Sequence, residues 1–282
     1  MWSDVIDLRD FYETSLGQMV RRLLRRRLRE MWPDVAGERL LGLGFAAPLL
    51  WSFRDEAERV LCIMPSAQGV LAWPPGEPSL TALADETDLP LPDRSVDRLV
   101  VIHALESTEH VRGMMREIWR VLADSGRVIL IVPNRRGIWA RLERTPFGYG
   151  RPYSPKQLSR LLRDNMFTPL QSSEALYIPP LHSRMMLRSA PVWEQIGHRW
   201  FQSFAGVLLV EAAKQFYAGT AIRAEDARES KRKRAYIPMP QGFRRESCPL
   251  PPSMLTSSSA APGCEPPGFR PGGGAGCGWE PP

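Results

Sequence analysis

The residues whose types and spacing could do chemistry gather at a few points in the chain. The first is Gly42-Leu43-Gly44-Phe45-Ala46-Ala47-Pro48, a glycine turn that follows the apolar run "RLL". Glycine there lets the backbone turn sharply and approach a ligand with no Cβ in the way. Pro48 suits the first position of a helix, and it biases Ala47 towards an extended conformation. The spacing matches a degenerate G-x-G-x-x-A dinucleotide fingerprint, a weak signal on its own, and no Lys-Ser/Thr pair follows to make a triphosphate loop. The second point is Met64-Pro65-Ser66, after the apolar run "RVLCIM", where a dinucleotide site would place an acid for the ribose hydroxyls. Glu58 lies at the wrong end of that run to substitute. The third is "LADETDLPLPD", with carboxylates at Asp85, Glu86, Asp88 and Asp93. The fourth is "IHALE", which sets His103 and Glu106 near the end of another apolar run and makes His103 the candidate general base. A helix-start pair, each satisfying the other, is the competing reading of His103 and Glu106. The four histidines are scattered, so no metal site is expected.

Such residues act together only if the fold brings them to one place. "ERLLGLGF", "AERVLCIM", "VDRLVVIHAL" and "SGRVILIVPN" read as strands. Between the last two, Val111, Met114, Met115, Ile118, Trp119 and Leu122 recur at helical spacing. Residues 153–216 continue as helix, strand, helix and a closing strand. Apolar strands without polar alternation, interleaved with helices, argue for an α/β protein with a doubly wound, mostly parallel sheet and helices on both faces. Ligands in such sheets bind beyond the carboxyl ends of the strands.

Ahead of the sheet, Leu16, Met19, Val20, Leu23, Leu24, Leu28 and Met31 form one stripe of a helix over about 16–32. Most arginines of "RRLLRRRLRE" then fall on the opposite, solvated face. The net charge of +6 and pI of about 9.4 are concentrated there and in "KRKR" at 231–234. Nucleic acid or an anionic surface could use such clusters, but a structural cover with a solvated face is the expected reading. Residues 247–282 are dense in Pro, Gly and Ser and hold three of the four cysteines. That composition buries too little surface to offset ordering entropy, so disorder is expected. Cys62 is expected as a buried free thiol. The organisation expected is therefore an N-terminal helical cover at 1–35, an α/β domain at 36–246 and a disordered tail at 247–282. No secretory signal or transmembrane segment is read, so a cytoplasmic location is expected; the oligomeric state is not fixed.

Residues 83–134 carry Asp85, then Asp88-Leu89-Pro90-Leu91-Pro92-Asp93-Arg94-Ser95-Val96-Asp97, then Arg116-Glu117-Ile118-Trp119-Arg120-Val121-Leu122, then Val132-Pro133-Asn134. In that order the block resembles the central region of small-molecule class I S-adenosylmethionine-dependent methyltransferases. The resemblance implies a Rossmann-like, seven-stranded sheet and S-adenosyl-L-methionine as cofactor. It implies that Asp85 meets the adenine amino group with the Glu86 backbone beside it. Gly42, Gly44 and Ala46 become the loop at the methionine end, and Met64 stands at the ribose. His103 faces the donor or the acceptor, and Tyr12, with Phe11, belongs to a lid. It also sets Phe147, Tyr149 and Tyr153 near the acceptor. The chain departs from the family loop "D-x-G-x-G-x-G" by Gly42 at the acid and by Ala46 and Pro48 at later glycines.

The function expected is methyl transfer to a small-molecule acceptor. Two other readings stay open. A non-catalytic binding or scaffold protein is favoured by the altered loop and the missing ribose acid. A nucleic-acid-directed enzyme is favoured by the basic clusters, but "N-P-P-Y"-like residues are missing and nucleic acid is not the expected partner.

Overall fold

The computed structural model describes residues 4–180 and 205–215. All of them lie in the first of two compact units, Met1–Arg223 and Ala224–Pro282. The helix expected just before residue 205, the "KRKR" cluster and the tail fall outside the described residues.

The sequence's apolar runs become β1 (Arg39–Gly44), β2 (Arg59–Pro65), β4 (Val96–Ile102) and β5 (Leu122–Pro133). Joined by β3 (Thr81–Ala84), β6 (Phe167–Ala175) and β7 (Val207–Lys214), they form one seven-stranded sheet in the order β3-β2-β1-β4-β5-β7-β6. Only β7 runs against its neighbours β5 and β6. This is the doubly wound, Rossmann-like sheet that the sequence implied. β3 was not legible beforehand, and β5 starts earlier than expected, at Leu122.

Strand side chains alternate between two cores, as a period of two requires. Leu41, Leu43, Leu99, Val101, Val128 and Leu130 face α4 (Val111–Val121) and α5 (Pro155–Asp164). On the other face, Leu40, Val100, Ile102, Ile129 and Ile131 share a core with α1 (Val5–Glu13) and α2 (Ser15–Met31). α3 (Ala47–Leu50) adds Leu49 and Leu50 to that second core.

The N-terminal region forms two helices where one was expected. Thr14 ends the first and caps the second, its hydroxyl accepting from the Gly17 amide at 3.0 Å. Gly17 allows the close crossing, because a Cβ there would come 2.0 Å from the Phe11 carbonyl oxygen. The stripe of α2 is buried as expected at Leu16, Met19, Val20, Leu24, Leu28 and Met31, with Leu23 half-buried. Each fully buried aliphatic side chain contributes roughly 1.5–3 kcal/mol. Trp32, just after α2, donates to buried Glu211 of β7 at 2.9 Å. Gln171 and Arg127 also donate to Glu211, which satisfies the charge that the sheet buries.

Candidate functional site

Gly44 ends β1 in the left-handed region, with φ of 84°. A Cβ there would lie 2.1 Å from the Ile102 carbonyl oxygen, and the next amide, Phe45, donates to that oxygen at 3.1 Å. The turn therefore hugs the end of β4. Ala46 caps α3, Ala47 is its first residue and Pro48 its second, so the helix starts one residue before Pro48 and Ala47 is helical rather than extended as expected. Gly42 serves packing: a Cβ would fall 2.6 Å from Ala46 Cβ and 2.9 Å from Cys62 Sγ. An acid at this position has no room. Cys62 is a buried free thiol, and burial pushes it up to about 12.

Beyond the carboxyl ends of β1 and β2 a cleft of about 730 Å³ opens, a size suited to a cofactor or small substrate. Phe45, Ala47, Pro48 and Met64 come from the strand ends; Trp51, Leu71 and Trp73 supply further apolar wall. The polar wall comes from the N-terminal helices: Arg9, Tyr12 and Glu13 of α1, and Arg21 and Arg25 of α2. Glu13, Arg21, Arg25, Trp51 and Trp73 were missed as site residues. The arginine-rich helix was the available signal, but its apolar stripe does not say which flank meets a cleft.

Tyr12 stands between this cleft and His103. Its ring stacks on Phe45 with centroids 5.6 Å apart, and its hydroxyl is 2.9 Å from His103 Nε2. Burial, reinforced by the charge of Glu106, pushes the Tyr12 phenol well above its ordinary range, so it is a neutral hydroxyl. His103 itself is buried, with φ of 58°. Left-handed backbone at a residue other than glycine is strain that concentrates at functional sites. Gln68 Nε2 donates to the His103 carbonyl oxygen and holds the turn. His103 Nδ1 lies 3.2 Å from Oε1 of Glu106, without hydrogen-bond alignment. Glu106 is 4% exposed, and neither of its oxygens hydrogen-bonds to protein. A mutually satisfied helix-start pair is therefore not what His103 and Glu106 form.

The other sequence-derived residues are distributed as follows. Gly42, Gly44 and Ala46 are buried and do not line the cleft, whereas Met64 is on its wall. Asp85 is exposed and off the cleft wall; its carboxylate accepts from the Thr87 amide and hydroxyl, each at 2.7 Å. Those bonds hold Asp85 below the usual carboxylate range. Glu86 accepts from the Thr108 hydroxyl at 2.8 Å. Asp97 pairs with Arg39 of the neighbouring strand. Phe147 is buried against His103, with ring centroids 4.7 Å apart. Tyr153 is half-buried and lines a separate cleft with Arg135 and Arg151.

Residues 41–130 match the family model of a methyltransferase domain. That segment is about a third of the chain, and over it the chain resembles a methyltransferase domain. The match spans β1 to β5 and so includes the Gly44 turn, Met64 and His103. An S-adenosylmethionine-dependent methyltransferase from Archaeoglobus fulgidus superposes with a TM-score of 0.52 at 16% identity, covering 69% of this chain and 94% of that one. The [4+2]-cyclase SpnF gives 0.51 at 21% identity, covering 72% of this chain and 83% of that one. At these identities the likeness is one of fold, and a fold does not choose its reaction. No curated protein matches the chain by sequence.

S-adenosylmethionine, the cofactor of such domains, carries a sulfonium, an amino-acid end with an ammonium and a carboxylate, and an adenine ring. Met64 is an apolar part of the cleft wall, and Asp85 is engaged with Thr87. The cleft still offers tryptophan and methionine surface, the Glu13 carboxylate and two guanidinium groups. One of these, Arg21, holds a buried Nε with no hydrogen-bond partner. An orphaned donor on a cleft wall fits a ligand that brings an anionic group. Among the described residues no cluster of three or more His, Cys, Asp or Glu could hold a metal, and no helix is long and apolar enough to cross a membrane.

Proposed function

We propose that this methyltransferase domain transfers a methyl group to a small-molecule acceptor bound beside Tyr12. The observation that carries the reading is the cleft itself, at the carboxyl ends of β1 and β2 inside the matched segment. S-adenosylmethionine supplies a methyl group already activated on a sulfonium, so proximity and alignment provide most of the rate. The chain's own part is to bind, to orient and to exclude water. Phe11 and Tyr12 bring α1 over the strand ends, and Phe45 closes the floor beneath Tyr12.

A hydroxyl or amine acceptor must also lose a proton. The acceptor's proton passes to the Tyr12 oxygen as the Tyr12 proton passes to His103 Nε2. Glu106, at 3.2 Å from Nδ1, offsets the positive charge that His103 then carries. Tyr12, Glu13 and Met64 are the residues assigned here to hold the ligand, with Asp85 and Glu86 outside the contact set. This places recognition on the N-terminal helices more than on the strand ends.

Nucleic acid is a weaker reading, because Arg26, Arg27 and Arg29 are already paired with Glu30 or Glu56. Calorimetry of the full chain with S-adenosylmethionine and S-adenosylhomocysteine tests the proposal. Saturable binding of both is expected. An absence of heat with either at millimolar concentration would overturn it and leave a binding or scaffold protein on a methyltransferase fold.

A further inference from the structure

The turn after β4 is held from outside its own strand. His103 is buried there with a left-handed φ of 58°, a conformation that persists only where its surroundings enforce it. Gln68 supplies that hold. It is 5% exposed, and its side-chain amide donates to the His103 carbonyl oxygen. The same amide lies 3.3 Å from the Ser107 hydroxyl, which itself donates to the His103 and Ala104 carbonyl oxygens, each at 3.1 Å.

The backbone of Gln68 makes two further contacts. Its amide donates to the Pro65 carbonyl oxygen at 2.9 Å, which ties it to the end of β2. Its carbonyl oxygen accepts from the amide of Val5, the first residue of α1, at 2.8 Å. The first amides of a helix have no partner within it, so this bond anchors α1. The segment around Gln68 also belongs to the cleft, since Met64 before it and Leu71 after it line the wall.

Gln68 therefore reaches both partners of one hydrogen bond. Val5 and Tyr12 are both buried, two turns apart on one face of α1, so the anchor at Val5 sets where Tyr12 lies. The side chain meanwhile fixes the turn that carries His103. A glutamine suits this place, because it offers a donor to the carbonyl and adds no charge beside the imidazole. We propose that Gln68 is the positioning residue of the Tyr12–His103 pair. It acts through His103, keeping Nε2 in line with the Tyr12 hydroxyl, and does not itself meet the acceptor. This rests on the proton path proposed above and adds the group that sets its geometry.

NMR of the full chain labelled at its histidine nitrogens reads this alignment without an acceptor. An imidazole nitrogen that accepts a hydrogen bond resonates upfield of one that does not. Spectra are taken at about pH 8.5, above the ordinary histidine range. The His103 signals are assigned by their loss in His103→Gln. Gln68→Met keeps the length of the side chain and removes its donor. Its His103 Nε2 signal is expected to move downfield, in the sense of Tyr12→Phe, which deletes the bond outright. Gln68→Asn, whose amide stops short of the carbonyl, gives the same shift and replaces Gln68→Met should that variant not fold. Ser107→Ala leaves the Gln68–His103 bond and keeps the wild-type signal. Circular dichroism melts check that each variant is folded.

A wild-type Nε2 signal in the folded Gln68 variants overturns the assignment, as does an equal shift in Ser107→Ala. A signal that Tyr12→Phe leaves in place is a different result. It removes the proton path itself.

Discussion

The Tyr12 hydroxyl lies 2.9 Å from Nε2 of His103, across 91 residues of sequence. This bond joins the helical cover to the end of β4 and decides which ring nitrogen of His103 meets the cleft side. Tyr12→Phe keeps the ring stacked on Phe45 and removes only the hydroxyl. It is expected to cost about 0.5–1.5 kcal/mol in denaturant melts. Methyl transfer to a hydroxyl acceptor should fall by at least tenfold. Unchanged turnover would remove Tyr12 from the proton path.

Glu106 is a buried carboxylate with no hydrogen bond to protein, which is an unfavourable arrangement for stability. Glu106→Gln is therefore expected to hold or raise the melting temperature. The same variant should lower turnover, since the charge that balances His103 is gone. A variant that is destabilised and fully active would assign Glu106 to packing alone.

Gly44→Ala tests the turn. The left-handed backbone and the 2.1 Å approach to the Ile102 oxygen leave no place for a Cβ. A loss above about 1 kcal/mol is expected in urea melts, by comparison with sites where glycine is replaced without strain. An unaltered melt would mean that β1 and β4 separate easily at this end.

On α2 the two faces should respond differently. Leu24 is fully buried, so Leu24→Ala is expected to cost about 2–5 kcal/mol. Arg26 is exposed and among the described residues pairs only with Glu30, so Arg26→Gln should stay within about 0.5 kcal/mol of wild type. The reverse ranking would put the sheet on the wrong side of the helix.

Acid stability follows from two carboxylates. Hydrogen bonds from Arg39 hold Asp97 below the usual carboxylate range, and those from Arg120 do the same for Glu117. A carboxylate depressed in the folded state contributes stability above its unfolded value, near pH 4, and loses it as pH falls through the folded value. Urea melts between pH 7 and pH 3 should therefore be flat at the upper end and decline below about pH 4. Asp97→Asn is expected to lower stability at pH 7 and make the decline shallower. An equally steep decline would assign it to other groups.

The runs that became β1, β2, β4 and β5, and the Met114–Ile118 face of α4, were legible because their apolar patterns are local. β3 was not, since "TALA" is short and largely exposed, and only its pairing with β2 makes it a strand. The break at Thr14 escaped the helical period for a similar reason. Helix α1 has a weak apolar face of its own and is held by the burial of Val5, Leu8, Phe11 and Tyr12.

Sequence by itself determined the apolar centres of β1, β2, β4 and β5, the glycine turn and the residue types beside it, because turns and burial patterns depend on near neighbours. It also located Tyr12, Met64 and His103 as residues of interest. Which of them touch was decided by tertiary structure. Asp85 turned to Thr87, while Tyr12 reached His103 over a distance that no local pattern encodes. The same holds for Arg21 and Arg25: periodicity fixed the buried stripe of α2, but only the packing of that helix against Pro48 set these two arginines on a cleft wall.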